Sequence, residues 1–244
     1  MARMRAAARL TAAILMRLKK EAGPGVTTLA LNNLAEEACR AGGAVPAFLG
    51  YAGYPFSLCA SVNEQVIHGF PGKRKLREGD VLSLDFGVVL DGFVGDAAVT
   101  LPIGRVSDEG MKLIRVTAEC LDRAVEQARP GNRLGDVSHA VQRHAESNGF
   151  SVVRQFVGHG IGRNMHEPPQ IPNFGPPRQG VELRPGMVLA IEPMINAGTH
   201  KVRILKDGWT AVTEDGRLSA HFEHTVAVTE NGPEVLSSFE GLEA

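Results

Sequence analysis

Apolar residues recur at helical spacing over roughly 4–21, 27–41, 108–128 and 134–148, and each stretch predicts a helix. Leu10, Ile14 and Leu18 mark the stripe of the first, which Gly23-Pro24-Gly25 stops, and Asn148-Gly149 ends the fourth. Shorter apolar or alternating runs at 81–90, 93–101, 151–157, 187–192, 201–205 and 221–229 predict strands. Residues 167–177, EPPQIPNFGPP, hold too much proline for either and read as an ordered loop. Helices and strands are grouped rather than strictly alternating, which favours an α+β fold over a doubly wound sheet. No linker or low-complexity tract divides the chain, so 1–244 reads as one domain.

Two of the predicted strands end alike. Residues 76–85 read LREGDVLSLD and residues 183–192 read LRPGMVLAIE. Leu, Arg, Gly, Val and Leu match in place, and each copy closes on an acid, Asp85 and then Glu192. Two copies are too few for a solenoid. A duplicated unit that delivers one acid per half to a shared centre accounts for them better, because an apolar strand seldom carries a charge inward without a partner or a metal.

Composition narrows the classes. With 43% hydrophobic and 22% charged residues, the 244-residue chain resembles an ordinary globular protein. A net charge of −1 argues against a dedicated nucleic-acid binder. Cys39, Cys59 and Cys120 form no CxxC pair and suggest a reducing compartment. No apolar run reaches the eighteen or so residues of a membrane span. The opening MARMRAAARLTAAILMRLKK has the acid-free, Arg-rich composition of a transit peptide, but its apolar stripe and the Gly-Pro-Gly stop favour a first helix of the fold.

The chemistry starts in LSLDFGVVLDGFVGDAAVTL. Asp91-Gly92 between two apolar runs predicts a two-residue hairpin turn. Leu90 then faces Phe93, and Asp85 lies opposite Ala98 with Asp96 diagonal to it on one face, Cα atoms about 7–8 Å apart. The other face carries Leu82, Leu84, Phe86 and Val88. Two carboxylates so placed share a proton or bind a cation. The second half adds Glu192 and, in AHFEHTVAV, Glu223. His159, among the glycines of VGHGIGRNMH, is the imidazole candidate, since Gly158, Gly160 and Gly162 allow close backbone approach or positive φ. His139 and His144 read as surface residues of a helix. One imidazole with several carboxylates suits first-row divalent metals.

Long, ordered motifs now carry a resemblance. SVNEQVIHG (61–69), LDFG (84–87), GFVGDAAV (92–99), GHGIGRNMHEPP (158–169), AIEPM (190–194), KDGWT (206–210) and FEHT (222–225) together resemble the type I methionine aminopeptidases, over nearly the whole chain. The resemblance implies the pita-bread (creatinase/aminopeptidase) fold, a pseudo-twofold repeat of antiparallel sheet covered by helices. It implies two divalent metal ions (Co, Mn, Fe or Zn) held by Asp85, Asp96, His159, Glu192 and Glu223, with a monovalent cation as a further candidate. Asp96 and Glu223 would bridge, Asp85 would complete one metal, and His159 with Glu192 the other. Glu192 would also act as general base, and His68 and His166 would hydrogen-bond the scissile amide. Phe48, Tyr51, Tyr54, Cys59, Met165 and Trp209, with His68 and His166, would bind the substrate methionine. His221 lies outside that pattern.

The implied reaction removes the initiator methionine from nascent polypeptides, near the ribosome, when the second residue is small. The implied enzyme is a cytoplasmic monomer without membrane or nucleic-acid specificity. An uninterrupted second half separates the chain from the type II class. Two rivals share the fold: a prolidase or aminopeptidase P, which usually carries an extra N-terminal domain, and a non-catalytic binding protein, which lacks ligands.

Overall fold

The computed structural model describes residues 1–242. The first half runs α1 (Ala2–Glu21), α2 (Thr28–Ala41), β1 (Val45–Pro46), β2 (Cys59–Val62), β3 (Gln65–Ile67), β4 (Val81–Leu90) and β5 (Phe93–Pro102). Next come α3 (Asp108–Gln127), α4 (Leu134–Ser147), β6 (Ser151–Val152), β7 (Gly158–Gly160), β8 (Glu167–Ile171) and β9 (Val188–Ile191). β10 (Met194–Asn196), β11 (Val202–Ile204), β12 (Ala211–Thr213), β13 (Ser219–His221), β14 (Glu223–Thr229) and β15 (Gly232–Val235) follow.

The four helices fall where the apolar periodicity puts them, and two start on side-chain caps. Thr27 accepts from the Ala30 N–H and Ser107 from the Gly110 N–H, each satisfying a donor the first turn leaves open. A curved antiparallel sheet ordered β1-β4-β5-β14-β9-β7-β8 forms the body, with β2 on β4 and β15 on β14. Helices cover one face of it. Leu15 and Leu18 of α1 and Leu31 of α2 pack with Leu82, Leu84, Phe86 and Val88 of β4. Val116 and Cys120 of α3 and Val141 of α4 pack with Leu189 and Ile191 of β9 and Val226 of β14. The two halves meet where β5 pairs with β14.

The duplication is deeper than the matched decapeptides. Gly79 and Gly186 take the same left-handed turn, at φ 93° and 96°. Leu76 donates its N–H to the Val26 carbonyl and accepts from Gly25, while Leu183 donates to Asn132 and accepts from Gly131. Pro24-Gly25 and Pro130-Gly131 are therefore equivalent, each leading into the second helix of its half. This is the pseudo-twofold, helix-covered antiparallel sheet of the pita-bread fold.

Three strand expectations need correction. Residues 167–177 are not all loop, because Glu167–Ile171 forms β8. It lies at the end of the sheet, where a strand pairs on one side only and proline's missing N–H is tolerated. The run 151–157 is strand only over Ser151–Val152. The run 221–229 is broken at Phe222, since β13 pairs with β10 in a small separate sheet and β14 joins the main one.

α1 is core, not a detachable leader: Ala7, Ala8, Ala12, Leu15 and Leu18 are fully buried against the sheet. The approach is close at Gly95, where a Cβ would come within 2.5 Å of the Ala7 and Ala8 backbone. Thr11 binds there too, donating its hydroxyl toward the Gly95 carbonyl at 3.1 Å. Gly95→Ala is therefore expected to push helix from sheet and lower stability by about 1–3 kcal/mol, the usual cost of overpacking. Urea unfolding monitored by circular dichroism would measure it, and an unchanged midpoint would refute the close packing.

Candidate metal centre

On the face of the sheet away from the helices, five adjacent strands each bring one side chain. In spatial order they are Asp85 on β4, Asp96 on β5, Glu223 on β14, Glu192 just past β9, and His159 on β7. Strand parity explains the convergence. β4 and β5 pair without a bulge, Leu90 with Phe93, Asp85 with Ala98 and Gly87 with Asp96, so the two aspartates share a face. Ala98 in turn pairs with Glu223, carrying that face across the seam. His159 pairs with Ala190, two residues before Glu192 on the same side.

The glycines around His159 serve close approach rather than positive φ. A Cβ on Gly158 would meet the Ala190 carbonyl at 2.4 Å, and one on Gly160 the Pro168 carbonyl at 2.3 Å. Only glycine lets β7 fit between β8 and β9, so the GHG triplet is what admits the imidazole.

The acids are deeply buried and poorly neutralised. Burial pushes the Asp85 carboxyl up to about 7. Asp96, Glu192 and Glu223 are pushed well up, first by burial and then by neighbouring carboxylates, Asp85 among them in every case. Asp85 Oδ1, Asp96 Oδ1 and Glu223 Oε1 have no hydrogen-bond partner. Among the described residues no lysine or arginine lines the cavity; Glu192 instead faces His159 Nε2 at 3.5 Å and His221 Nε2 at 3.8 Å. Burial also holds the His159 imidazole down, to about 4. Its Nδ1 lies 3.0 Å from the Gly160 carbonyl. A carbonyl can only accept, so the proton sits on Nδ1 and the Nε2 lone pair faces the acids. That is the tautomer a metal ligand needs. Ligand atoms of Asp96, His159 and Glu223 all lie within 4.8 Å of one another. Orphaned carboxylate oxygens around an imidazole lone pair are the donor set of a hard-to-borderline divalent cation, so the residues fit such a metal.

A cavity of about 130 Å³ opens beside this cluster. It is lined by the five residues above and by the eight that the resemblance implies for substrate. Tyr54 stacks edge-on to Trp209 with centroids 5.1 Å apart, and its hydroxyl donates toward the Leu58 and Gly69 carbonyls at 3.1 and 3.2 Å. Tyr51 OH and His166 Nδ1 are 2.7 Å apart. His166 packs on His159 at 4.3 Å between centroids. His68 lies between Trp209 and Phe156, each at 5.8 Å, with backbone φ 58° and its imidazole held down to about 4 by burial. Cys59 pairs with Asp85 across β2 and β4, and burial raises its thiol.

The sequence pattern singles out His221 without giving it a role and does not point to Gly87. His221 is buried, its Nε2 unpartnered beside Glu192 and its backbone locked to Thr100. Its position two residues before Glu223 was the available signal. At Gly87 a Cβ would come within 2.9 Å of Phe48 and 3.2 Å of the Met165 methyl, so the absent side chain makes room for that wall. A glycine inside an apolar strand signals such an approach.

Comparison with known proteins agrees with this geometry. Residues 2–230 match the model of metallopeptidase family M24. The chain is 54% identical over 234 residues to a methionine aminopeptidase of Clostridium perfringens, covering 96% of this chain and 94% of the relative. It superposes on a crystal structure of methionine aminopeptidase from Thermotoga maritima with a TM-score of 0.96 and 49% identity, over 97% of this chain and 96% of that one. A prolidase from Pyrococcus horikoshii shares the fold, with a TM-score of 0.80 at 20% identity, but the match spans only 63% of that chain.

Proposed function

The chain belongs to metallopeptidase family M24, and from that premise we propose the following reading of its site. The protein is a metal-dependent aminopeptidase that removes the initiator methionine from nascent polypeptides whose second residue is small. Asp85, Asp96, His159, Glu192 and Glu223 hold two divalent ions, of Co, Mn, Fe or Zn, and residues 1–244 act as one catalytic domain. The observation that carries the reading is the delivery of one ligand by each of five adjacent strands, beside a cavity of aromatic and sulfur-bearing side chains. It is joined by close similarity to methionine aminopeptidases over almost the full length of both chains.

Divalent ions at such a site supply an acidified water and Lewis-acid polarisation of the scissile carbonyl. The protein supplies the rest. Phe48, Tyr51, Tyr54, Cys59, Met165 and Trp209 receive the methionine side chain, whose flexible thioether suits aromatic and sulfur contacts. Glu192 takes the proton of the attacking water, as a general base placed beside the ions it would help to hold. His68 and His166 donate to the scissile amide and its developing negative charge. With Tyr51 as the donor to His166 Nδ1, the Nε2 would keep its hydrogen and could face substrate.

We place the enzyme in the cytoplasm, as a monomer near the ribosome. Cys39, Cys59 and Cys120 are all free and buried, as a reducing compartment favours. No helix among the described residues is long and apolar enough to cross a membrane.

The test is a peptide series with metal-replete protein. Met-Ala-Ser should be cleaved and its Pro-, Leu- and Ala-initiated counterparts should not. Met-Ala and Met-Gly peptides should exceed Met-Leu and Met-Lys by about 10–200-fold in kcat/KM, the range that side-chain size discriminates in a fitted pocket. Equal rates across the second residues would remove the small-residue rule. Preferential release of a residue before proline would favour the prolidase-type reading instead.

A further inference from the structure

The hairpin that carries Trp209 also holds an acid with no part in the site so far described. β11 and β12 pair Ile204 with Ala211, and the Leu205 N–H donates to the Thr210 carbonyl at 2.9 Å. Beyond that bond the ladder ends, and the chain turns through Lys206-Asp207-Gly208-Trp209 with Gly208 at φ 80°. The backbone N–H of Trp209 therefore finds no acceptor on the facing strand. It donates to Asp207 Oδ1 at 2.9 Å, and the Thr210 N–H donates to the same oxygen at 2.9 Å. Asp207 Oδ2 accepts from the Thr210 hydroxyl at 2.7 Å. One carboxylate thus gathers three donors from two consecutive residues, an Asx turn reinforced by a hydroxyl.

The consequences reach the cavity. Trp209 stands edge-on to Tyr54 and His68, at 5.1 and 5.8 Å between centroids, and forms one wall. An indole moves about only two side-chain torsions, so where it lands depends on the backbone that carries it. Thr210 is also the residue nearest His68 across the β3–β12 pairing, its hydroxyl 3.4 Å from the His68 carbonyl.

We propose that Asp207 is a positioning residue for the methionine pocket, its carboxylate fixing the backbone of Trp209 and with it the wall on which the substrate side chain packs. The inference rests on the methionine reading of the cavity. Asp207 itself is exposed and lines no part of that cavity. A displaced wall weakens contacts made equally in the ground and transition states, so KM should move and kcat should not.

Trp209 is the only tryptophan of the chain, so intrinsic fluorescence reports on this one ring. In metal-loaded Asp207→Ala, acrylamide quenching should increase and the emission should shift to the red. KM for Met-Ala-Ser should rise about tenfold with kcat within about twofold of wild type. Asp207→Asn keeps an acceptor at Oδ1 and should return both readouts most of the way. If Asp207→Ala does not fold, Thr210→Val, which removes the hydroxyl's bond to Oδ2 together with its 3.4 Å contact to the His68 carbonyl, is read in the same way with smaller changes. Unchanged quenching would overturn the hold of Asp207 on Trp209. Changed quenching with an unchanged KM, or a loss confined to kcat, would overturn its role in the pocket. A wild-type protein that cleaves no Met-initiated peptide would instead sink the methionine reading, and the fluorescence would still decide whether Asp207 positions Trp209.

Discussion

Chelation of divalent metal is expected to abolish peptide cleavage, and addition of Co, Mn, Fe or Zn ions to restore it. The reason lies in the charge of the site. Asp85, Asp96, Glu192 and Glu223 are crowded on one face of the sheet, and among the described residues no lysine or arginine lines the cavity they share. Without a cation they must repel or stay protonated, and burial first, then for Asp96, Glu192 and Glu223 the neighbouring charges, push their carboxyls up. The same shifts fix a pH dependence for the metal-free protein. A carboxyl raised in the folded state adds stability below its unfolded value near 4 and loses it as pH climbs through the folded value, about 7 for Asp85. Metal-free protein should thus melt higher at pH 7 than at pH 8. That window lies above the ordinary histidine value near 6.5, below which the buried histidines act with the opposite sign. Metal binding near neutrality should release protons. Full activity in a sample verified as metal-free would end the metal-dependent reading. A melting temperature that rises between pH 7 and pH 8 in the metal-free protein would contradict the burial of the acids.

How far the sequence revealed this site depended on whether a segment's own pattern decided its structure. The β4–β5 hairpin was fully legible. Asp91-Gly92 set the turn, strict pairing followed, and every partner from Val81–Pro102 to Leu90–Phe93 keeps the expected register. Asp85 and Asp96 were thus placed on one face from alternation alone. The repeated decapeptide placed Glu192 by analogy, and the matching turns at Gly79 and Gly186 show why the analogy works. β7 was illegible in the same terms. Three residues with two glycines have no strand propensity, and they form a strand because β8 and β9 close on both sides. β8 was hidden by its prolines, which an edge position tolerates. The break at Phe222 was hidden because continuous apolar character does not reveal a strand that changes sheets. His159, Met165 and Trp209 all sit on segments of this second kind. Their motifs pointed to them before any periodicity could.

Two histidines of the cavity should separate cleanly under mutation. His159→Ala is expected to lose bound metal together with rate, because its Nε2 is the lone pair turned toward the acids while Nδ1 holds the Gly160 carbonyl. His68→Ala should keep its metal. His68 stands off the acid face, between Trp209 and Phe156, at the end of β3. Its positive φ of 58° is costly for a residue with a side chain, and such strain persists where the surroundings over-determine a position. Burial keeps the imidazole neutral near pH 7, so in the proposed role it would donate a hydrogen without carrying a charge into the pocket. A donor aimed at the developing charge acts mainly in the transition state. Its removal should lower kcat by about 10²–10³, or roughly 2.7–4 kcal/mol, while KM changes far less. Titration calorimetry with the metal, run beside steady-state kinetics on both variants, separates the two roles. If His68→Ala loses metal as His159→Ala does, or turns over like wild type, then His68 does not contact the scissile amide and its strained backbone serves the fold alone.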